Sequence, residues 1–352
     1  MRIVSLVGAR PQFVKAAVMC RAFAGLPVSH RLVHTGQHYD DAMSEVFFRE
    51  LSIPAPAHNL GAGSGSHAQQ TAEIMKRLEP VLEQERPDWL LLYGDTNSTL
   101  SGALVASKMH IRCAHVEAGL RSGDRAMPEE VNRIVTDHLS ELLFCPTGES
   151  VKNLEREGLG ERARMTGDVM FDAVRVFGQI SEERGGPLTE AYRPDAFALA
   201  TLHRAGNTDN PERLQRILGA IDAIARTVCP VVMPLHPRTT ARLAEMKWRP
   251  EAISVVAPLS YLEMLLLEKR ARFILTDSGG VQKEAYFSRK PCITLRDETE
   301  WVETLHGNCN VLAGSDPVRI QAAVAAAAGA GPWTEVYGDG EAGVKIAEAL
   351  MR

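Results

Sequence analysis

The sequence predicts an α/β protein built from two doubly wound parallel sheets, each in its own domain. Short apolar runs typical of strands alternate along the chain with segments whose apolar residues recur at i, i+3 and i+4. This alternation indicates parallel strands joined by right-handed crossovers, and strands that are apolar throughout indicate burial on both faces. A chain of 352 residues has room for two domains, and the strands are too many for one compact sheet.

The individual elements follow from the local composition of each segment. Runs rich in β-branched and apolar residues predict strands at 3–7, 30–34, 89–93, 111–116, 142–145, 196–202, 231–235, 253–257, 273–276 and 292–295. Helical periodicity predicts helices at 12–23, 67–85, 129–138, 169–180, 211–227, 281–287 and 320–328. A polar segment with glycine and proline at 181–187 predicts a linker. We expect an N-terminal domain of residues 1–168, joined by a C-terminal helix at 340–352, and a C-terminal domain of residues 169–339.

The charge balance and the apolar content exclude several classes of protein. The 39 Lys and Arg residues face 44 Asp and Glu residues, a formal net charge of −5, and no basic block occurs, so we expect no nucleic-acid partner. The N-terminal apolar run is too short for a signal peptide, and no stretch approaches the ~18 apolar residues that span a bilayer. We therefore expect a cytoplasmic protein that does not insert in a membrane. The six cysteines form no C-x-x-C pair and are expected to be reduced.

Polar side chains gather directly after the predicted strands, where ligands bind in open α/β sheets. In the first half, Asp95 and Glu117 follow their strands closely, and Glu129 starts the next helix. A lone acid such as Glu129 or Glu130 in that place is also explained by the helix dipole. Several carboxylates near one anionic ligand repel each other, which favours the alternative that some of them exchange protons with a substrate.

In the second half, the strand ends carry His203, His236 and the tripeptide Ser278-Gly279-Gly280. The glycines and the helix N-terminus behind them predict a phosphate site, although the same tripeptide also forms plain tight turns. Glu284, one turn into that helix, is either a solvated carboxylate or an acceptor for ribose hydroxyls. His203 is either an ordinary loop histidine or an acid at a departing phosphate. Two such rims facing each other would line an interdomain cleft.

Metal and nicotinamide sites are not indicated by the sequence. The histidines His34, His38, His110 and His115 lack metal-ligand spacing with neighbouring acids, and no H-E-x-x-H motif occurs. The turn Gly8-Ala9-Arg10 does not build a G-x-G-x-x-G motif. We therefore expect neither a metal nor another cofactor.

Taken in order, the motifs resemble the non-hydrolysing UDP-N-acetylglucosamine 2-epimerase family across nearly the whole chain. The segments that carry the resemblance are GARPQFVK (8–15), HTGQH (34–38), GDTNST (94–99), HVEAGLRSG (115–123), PEEVNR (128–133), HR (203–204), HP (236–237) and TDSGGVQKEA (276–285). The resemblance implies two Rossmann-like domains in a glycosyltransferase-B arrangement. It also implies an isomerase of polysaccharide biosynthesis that works as a homodimer on a UDP-sugar, without nicotinamide or metal.

The resemblance also implies a role for each site residue. Ser278, Gly279 and Gly280 would bind the diphosphate of UDP and Glu284 its ribose, with Arg10 and His236 nearby. The residues implied around the sugar are Asp95, Glu117, Glu129, His203 and Arg133, and Lys15 is implied as a further substrate-binding residue. The implied reaction converts UDP-N-acetylglucosamine to its C2 epimer, UDP-N-acetylmannosamine, by elimination of UDP to a glycal and readdition. Which carboxylate acts as base and which as acid stays open.

Two departures from the family pattern leave the sugar open. The chain has HRAGN at 203–207 where the family commonly has HRREN, and TEWVE at 299–303 where it commonly has TERPE. This variant is similar to members that act on UDP-2,3-diacetamido-2,3-dideoxyglucuronic acid, so that sugar is an alternative substrate. A UDP-sugar-dependent glycosyltransferase of the same architecture and a non-catalytic nucleotide-sugar sensor are further alternatives.

Overall fold

A computed structural model describes residues 1–37 and 47–352 of the protein. His38, the last residue of the 34–38 motif, therefore lies outside the described residues. The chain divides into two compact units, one of Met1–Ala173 with Glu335–Arg352 and one of Val174–Thr334. No described helix is long and apolar enough to cross a membrane.

The strands of the described residues form two sheets in which every neighbouring pair is parallel. The strands of the first unit are β1 Arg2–Val7, β2 Ser29–His34, β3 His58–Asn59, β4 Trp89–Tyr93, β5 Arg112–Val116, β6 Leu142–Cys145 and β7 Ala163–Met165. Those of the second unit are β8 Ala198–Thr201, β9 Val231–Pro234, β10 Ser254–Val256, β11 Ile274–Thr276, β12 Cys292–Thr294 and β13 Asn310–Leu312. The predicted α/β class with two doubly wound sheets is confirmed.

Helices alternate with these strands and cover the sheets. Those whose whole length lies among the described residues are, in the first half of the chain, α1 Arg10–Phe23, α2 His67–Glu85, α3 Asn97–Met109, α4 Pro128–Leu139, α5 Gly148–Arg156 and α6 Val169–Arg184, which runs across the boundary between the units. The remaining helices are α7 Pro187–Ala191, α8 Ala205–Thr208, α9 Pro211–Thr227, α10 Pro237–Glu245, α11 Tyr261–Arg270, α12 Gly279–Phe287, α13 Pro317–Ala326 and α14 Ala342–Met351. The last of them, α14, belongs to the first unit, where the Asp172 carboxylate accepts hydrogen bonds from the Ala342 and Gly343 amides at its start.

The strand order explains where the site residues of the first unit lie. The first sheet runs β3-β2-β1-β4-β5-β6-β7, so the direction of winding reverses between β1 and β4. Such a switch point leaves a crevice outside the carboxyl ends of the two strands, because their crossover helices cover opposite faces. Gly8 follows β1, Gly94 follows β4, and Glu117 follows the neighbouring β5.

The second unit repeats this arrangement with its own polar groups. Its sheet runs β10-β9-β8-β11-β12-β13, with the reversal between β8 and β11. His203 comes just after β8, and Asp277 comes directly after β11. The core under these ends includes Ala198, Leu275 and Ile293, which are inaccessible or nearly so.

One sequence prediction needs correction, and the helix α3 was not predicted. Most of the segment 181–187 is helical and does not form a linker. Helix α6 continues to Arg184, and only Gly185 and Gly186 separate it from α7. Ser181 is buried, and its hydroxyl donates to the Leu262 carbonyl. This contact holds the polar C-terminal turns of α6 in helical form. Helix α3 has no amphipathic stripe because its small residues are packed on all sides, and a Cβ on Gly102 would lie 2.7 Å from a Leu6 methyl.

Candidate active site

Two carboxylates of the first unit lie next to each other, each beside a cation. Arg133 on α4 donates from Nη2 to Asp95 Oδ2 over 2.5 Å, and Lys15 on α1 donates to Glu117 Oε2. A Cβ built on Gly94 would lie 3.4 Å from Glu117 Oε2 and 3.3 Å from Lys15 Nζ, so the turn before Asp95 packs directly on the Lys15–Glu117 pair. The structure therefore brings together four of the predicted residues.

The two carboxylates differ in their electrostatic surroundings. Burial raises the pKa of Asp95, the nearby Glu117 charge raises it further, and Arg133 and Lys15 offset these effects only in part. The Glu117 side chain is 10% exposed and is held by the ammonium group of Lys15, whose side chain is 6% exposed. A carboxyl group with a raised pKa next to a carboxylate paired with a cation is an arrangement that suits general acid–base chemistry.

Backbone geometry keeps these side chains at the edge of the sheet. Glu117 has a φ of +73° and Gly94 a φ of +62°, both in the left-handed region. A non-glycine residue in that region is uncommon and persists where the surroundings over-determine it. The Glu117 and Ala118 amides both donate to the Phe144 carbonyl, which fixes the turn after β5.

Helix α4 carries two neighbouring acids in different environments. Glu129, the predicted catalytic residue, is exposed in the first turn of the helix. Glu130 is 2% exposed and accepts from the Ser122 and Gly123 amides and from Arg133 Nη1. Burial opposes ionisation of Glu130, but these donors prevail and lower its pKa. Glu130 therefore anchors the 122–123 turn as a carboxylate, and the sequence reasoning did not separate it from Glu129.

The start of α1 supplies Arg10 and is fixed by a neighbouring glutamine. Gln12 accepts from the Gly8 and Ala9 amides through Oε1 and donates from Nε2 to the Tyr93 carbonyl. The Arg10 guanidinium lies 5.7 Å from the centre of the Phe47 ring. Gln12 thus joins the turn after β1 to the end of β4, and Asp95 lies two residues past that end.

In the second unit, Asp277 organises the loop that bears the predicted His203. Its buried carboxylate accepts from the His203 amide at 3.1 Å, the Arg204 amide at 3.0 Å and Asn207 Nδ2 at 3.0 Å. The His203 and His236 rings lie 5.5 Å apart, so the structure brings these two predicted residues together. Sequence reasoning missed Asp277, although an aspartate between a strand and a glycine pair is itself a signal of a turn-forming carboxylate.

The predicted phosphate-binding helix begins as expected at Ser278. Its hydroxyl caps α12 by accepting from the Val281 amide, which leaves the Gly279 and Gly280 amides at the helix N-terminus. Gly279 has no room for a side chain, because a Cβ there would lie 2.5 Å from Glu300 Oε1 and 3.2 Å from Trp301 Nε1. A Cβ on Gly280 would meet only Ser278 Oγ, at 3.8 Å.

The predicted ribose-binding acid belongs to a buried acidic pair. Glu284 is 8% exposed, and burial raises its pKa to about 7 against the lowering effects of Lys283 and Tyr261. Glu268 on α11 is fully buried, and neither of its oxygens has a hydrogen-bond partner among the described residues. Burial and the charge of Glu284 raise the pKa of Glu268 well above its ordinary value. Sequence reasoning missed Glu268, whose signal was a lone acid ending the apolar run 264–267.

The fold and the site define a two-domain α/β protein of the glycosyltransferase-B-like class, with polar groups after the strands of both sheets. The family profile described as UDP-N-acetylglucosamine 2-epimerase matches residues 24–351. The chain therefore belongs to the UDP-N-acetylglucosamine 2-epimerase family, and the predicted membership is confirmed. Its named relatives are epimerases, a class of isomerases.

Full-length relatives carry two different substrate names. The chain is 46% identical over 358 residues to the UDP-2,3-diacetamido-2,3-dideoxy-D-glucuronate 2-epimerase of Pseudomonas aeruginosa, covering 100% of both chains. It is 41% identical over 361 residues to the UDP-N-acetylglucosamine 2-epimerase of Methanocaldococcus jannaschii, covering 99% of each. The crystal structure of M. jannaschii UDP-GlcNAc 2-epimerase in complex with UDP-GlcNAc and UDP matches with a TM-score of 0.88 at 40% identity, covering 100% of this chain and 99% of that one.

Proposed function

We propose that the protein inverts C2 of a UDP-2-acetamido sugar, with UDP-N-acetylglucosamine and UDP-N-acetylmannosamine as the first substrate pair to test. The observation that carries this proposal is the pair of adjacent carboxylates in the first unit, Asp95 with a raised pKa and Glu117 beside Lys15. The family match supplies the substrate class, because relatives that align over their full length are named for UDP-sugars.

The chemistry explains why two acids are needed. The C2 proton of an amido sugar is not beside a carbonyl, so its simple removal would leave a poorly stabilised carbanion. Loss of UDP from C1 together with the C2 proton avoids that carbanion and gives a glycal. Readdition of UDP with a proton delivered to the other face of C2 then gives the epimer. One carboxyl group takes a proton and another returns one, and each must lie within hydrogen-bond reach of C2.

We assign the roles from the two environments. Glu117, held by Lys15, takes the C2 proton, and Asp95, whose pKa is raised, returns a proton from the other face. In the reverse direction the two exchange roles, as microscopic reversibility requires. Glu129 remains a third candidate acid that lies one turn before Arg133 on α4. Lys15 and Arg133 are proposed to orient the sugar as well as the carboxylates.

The second unit is proposed to bind the UDP moiety. The amides of Gly279 and Gly280 at the start of α12 suit a diphosphate, and Glu284 suits ribose hydroxyls as an acceptor. His203 and His236, whose rings lie 5.5 Å apart, and Arg10 suit the charge that develops on departing UDP. No metal or other cofactor takes part in the proposed reaction.

UDP-2,3-diacetamido-2,3-dideoxyglucuronic acid is the second candidate substrate. It is favoured by the relative with 46% identity and by Ala205, Gly206 and Trp301, which differ from the common family pattern. In this structure Ala205 and Gly206 are exposed in the short helix α8, so the loop after His203 presents no guanidinium beyond Arg204.

One experiment separates these candidates. Each UDP-sugar is incubated with the protein alone, and ¹H NMR follows the anomeric signals of the two C2 epimers. Epimer formation without any acceptor supports the proposal and excludes a glycosyltransferase, while binding without turnover would indicate a nucleotide-sugar sensor. In heavy water the product should carry deuterium at C2, because the carboxyl groups exchange with solvent. The proposed homodimer is checked on the same sample by light scattering.

A further inference from the structure

A fully buried histidine lies beneath the two proposed catalytic carboxylates. His115, on β5, has no accessible surface, and both of its ring nitrogens face oxygen acceptors. Nε2 lies 2.7 Å from the Gly94 carbonyl oxygen, and Nδ1 lies 2.7 Å from Asp137 Oδ1 on α4. The Gly94 carbonyl is past the end of β4 and belongs to the residue before Asp95, so His115 supplies a donor that the strand ladder does not.

Asp137 joins this histidine to the turn that follows Glu117. Its Oδ2 accepts from the Gly119 amide at 3.1 Å and lies 2.8 Å from Arg121 Nη1. Burial opposes ionisation of Asp137, but His115 and Arg121 prevail and lower its pKa, so it is a carboxylate. Arg121 in turn makes two hydrogen bonds of 2.7 Å to Glu157.

These contacts hold both turns that carry the carboxylates. Gly94, Glu117 and Gly119 all have positive φ, at +62°, +73° and +77°. Glycine adopts such a backbone freely, but the non-glycine Glu117 keeps it only where its surroundings enforce it. On the other side of Asp95, Asn132 Nδ2 donates to the Asp95 carbonyl at 2.9 Å, so α4 fixes this residue through both its main chain and, by Arg133, its side chain.

We infer that His115 and Asp137 are positioning residues that hold Asp95 and Glu117 in register for proton transfer at C2. They do so through the Gly94 carbonyl and the Gly119 amide, and neither touches the substrate. This inference rests on the proposed function and goes beyond it, because it explains the positions of Asp95 and Glu117 by the buried His115 and Asp137. A displacement of about 1 Å of a catalytic group lowers a rate by about 10²-fold.

Two amide substitutions separate the two contacts of His115. Asparagine places its amide nitrogen near the position of Nδ1 and glutamine near that of Nε2. His115→Gln therefore keeps the donor to Gly94, and we expect its kcat to fall less than about 10-fold. His115→Asn loses that donor, and we expect kcat to fall by about 10²-fold, with KM and the Kd of UDP changed less than about threefold. Asp137→Asn should resemble His115→Asn in this split.

The chain offers a matched control in the same unit. His58 Nε2 lies 2.7 Å from Glu85 Oε1, a second histidine–carboxylate pair, which lies on β3 and α2 rather than at the carboxylates. His58→Gln removes a histidine–carboxylate pair outside the site, so it should lower the thermal midpoint of unfolding and leave kcat unchanged. Kinetics use the UDP-sugar that the wild-type protein turns over, and calorimetry with UDP reports on the second unit.

The outcomes are distinct. Wild-type turnover, a slow His115→Asn variant and partial rescue by His115→Gln support the inference. Wild-type kcat in both His115 variants, or equal losses in both that follow the loss of stability, would show a structural role only and overturn it. If the His115 variants do not fold, Asp137→Asn decides by the same kcat and KM criteria. Wild-type protein that binds UDP but turns over no UDP-sugar would overturn the proposed function, and the inference with it.

Discussion

Each unit contains a pair of neighbouring acids, and the two pairs lie in contrasting surroundings. In the first unit, Asp95 and Glu117 are each paired with a cation, Arg133 and Lys15. In the second unit, Glu268 and Glu284 are buried together, and both have raised pKa values. In the first arrangement a nearby cation offsets part of the cost of each negative charge, whereas burial of two acids together favours a shared proton. A site for proton transfer and a site for ligand hydroxyls thus make different demands on the same functional group.

The largest expected effect comes from removing ionisation in the first unit. Asp95→Asn, Glu117→Gln and Glu129→Gln should each lower kcat by about 10²-fold or more, since positioned acid–base groups contribute ~10²–10⁴. Because UDP is proposed to bind through the second unit, its Kd should change little. Steady-state kinetics and calorimetry measure the two quantities, with Glu73→Gln, a partly exposed acid paired with Arg77, as the control. Near-wild-type turnover in all three variants would contradict the assignment. Activity retained only in Glu129→Gln would leave Asp95 and Glu117 as the catalytic acids.

Removing Glu284 from the second unit should weaken UDP binding and leave kcat nearly unchanged. Glu284→Ala should weaken UDP binding by about 10–10²-fold, because a hydrogen bond to a charged or strongly polarised group contributes ~1.5–3 kcal/mol. Its kcat at saturating substrate should stay within a few fold of wild type. Calorimetric titration with UDP checks the affinity, and Glu245→Gln, an acid whose side chain is 63% exposed, serves as the control. A variant with normal UDP affinity and lost turnover would place Glu284 in the chemistry instead.

The buried pair also predicts how stability depends on pH. An acid whose pKa is raised in the folded state binds its proton more tightly there, so stability is complete below its unfolded pKa and is lost as the pH rises through the folded one. For Glu284 that window runs from the ordinary value of 4.5 to about 7. Glu268→Gln removes one of the two competing charges and should raise the free energy of unfolding by about 1–3 kcal/mol at pH 8, with little effect at pH 4.5.

Thermal or urea unfolding at several pH values tests this pH dependence. The wild-type midpoint should fall between pH 4.5 and pH 8 by more than that of Glu268→Gln. Glu263→Gln, a change in the capping residue at the start of the same helix, controls for effects on α11 that do not involve the buried pair. Parallel pH curves for the wild type and Glu268→Gln would show that the pair does not store this free energy.

Sequence patterns predict the elements and the rims of the sheets well, because both depend on local composition. Helices at 67–85 and 211–227 have the predicted bounds, and Asp95, Glu117 and His203 all lie after strands as predicted. Burial depends on packing between distant segments, and sequence spacing does not report it. Glu129 and Glu130 are therefore alike in sequence, yet only Glu130 is enclosed by the 122–123 turn. Strands β3, β7 and β13 were not predicted, and β3 and β7 contain no two adjacent apolar residues that would mark a strand.

The smallest expected effect concerns Glu300, an acid of the second unit that lies beside cations as Asp95 and Glu117 do in the first. Glu300 accepts from Arg296 at 2.8 Å and Arg204 at 3.4 Å, and these cations lower its pKa despite burial. Its Oε1 lies only 2.5 Å from the position of a Cβ on Gly279, so Gly279→Ala must displace the carboxylate and should lower stability by about 1 kcal/mol. Gly280→Ala meets open space and should raise stability by ~0.5–1 kcal/mol through helix propensity.

Thermal unfolding of the two alanine variants without ligand measures this difference directly, and calorimetry with UDP then asks a second question. Both variants should bind UDP more weakly than the wild type, because a diphosphate at the start of α12 needs close approach to both amides. Gly279→Ala combined with Glu300→Gln separates the two causes. If displacement of the charged carboxylate from Arg296 is what destabilises Gly279→Ala, the second change should add little to the first, whereas fully additive losses would mean that Glu300 and Gly279 act independently.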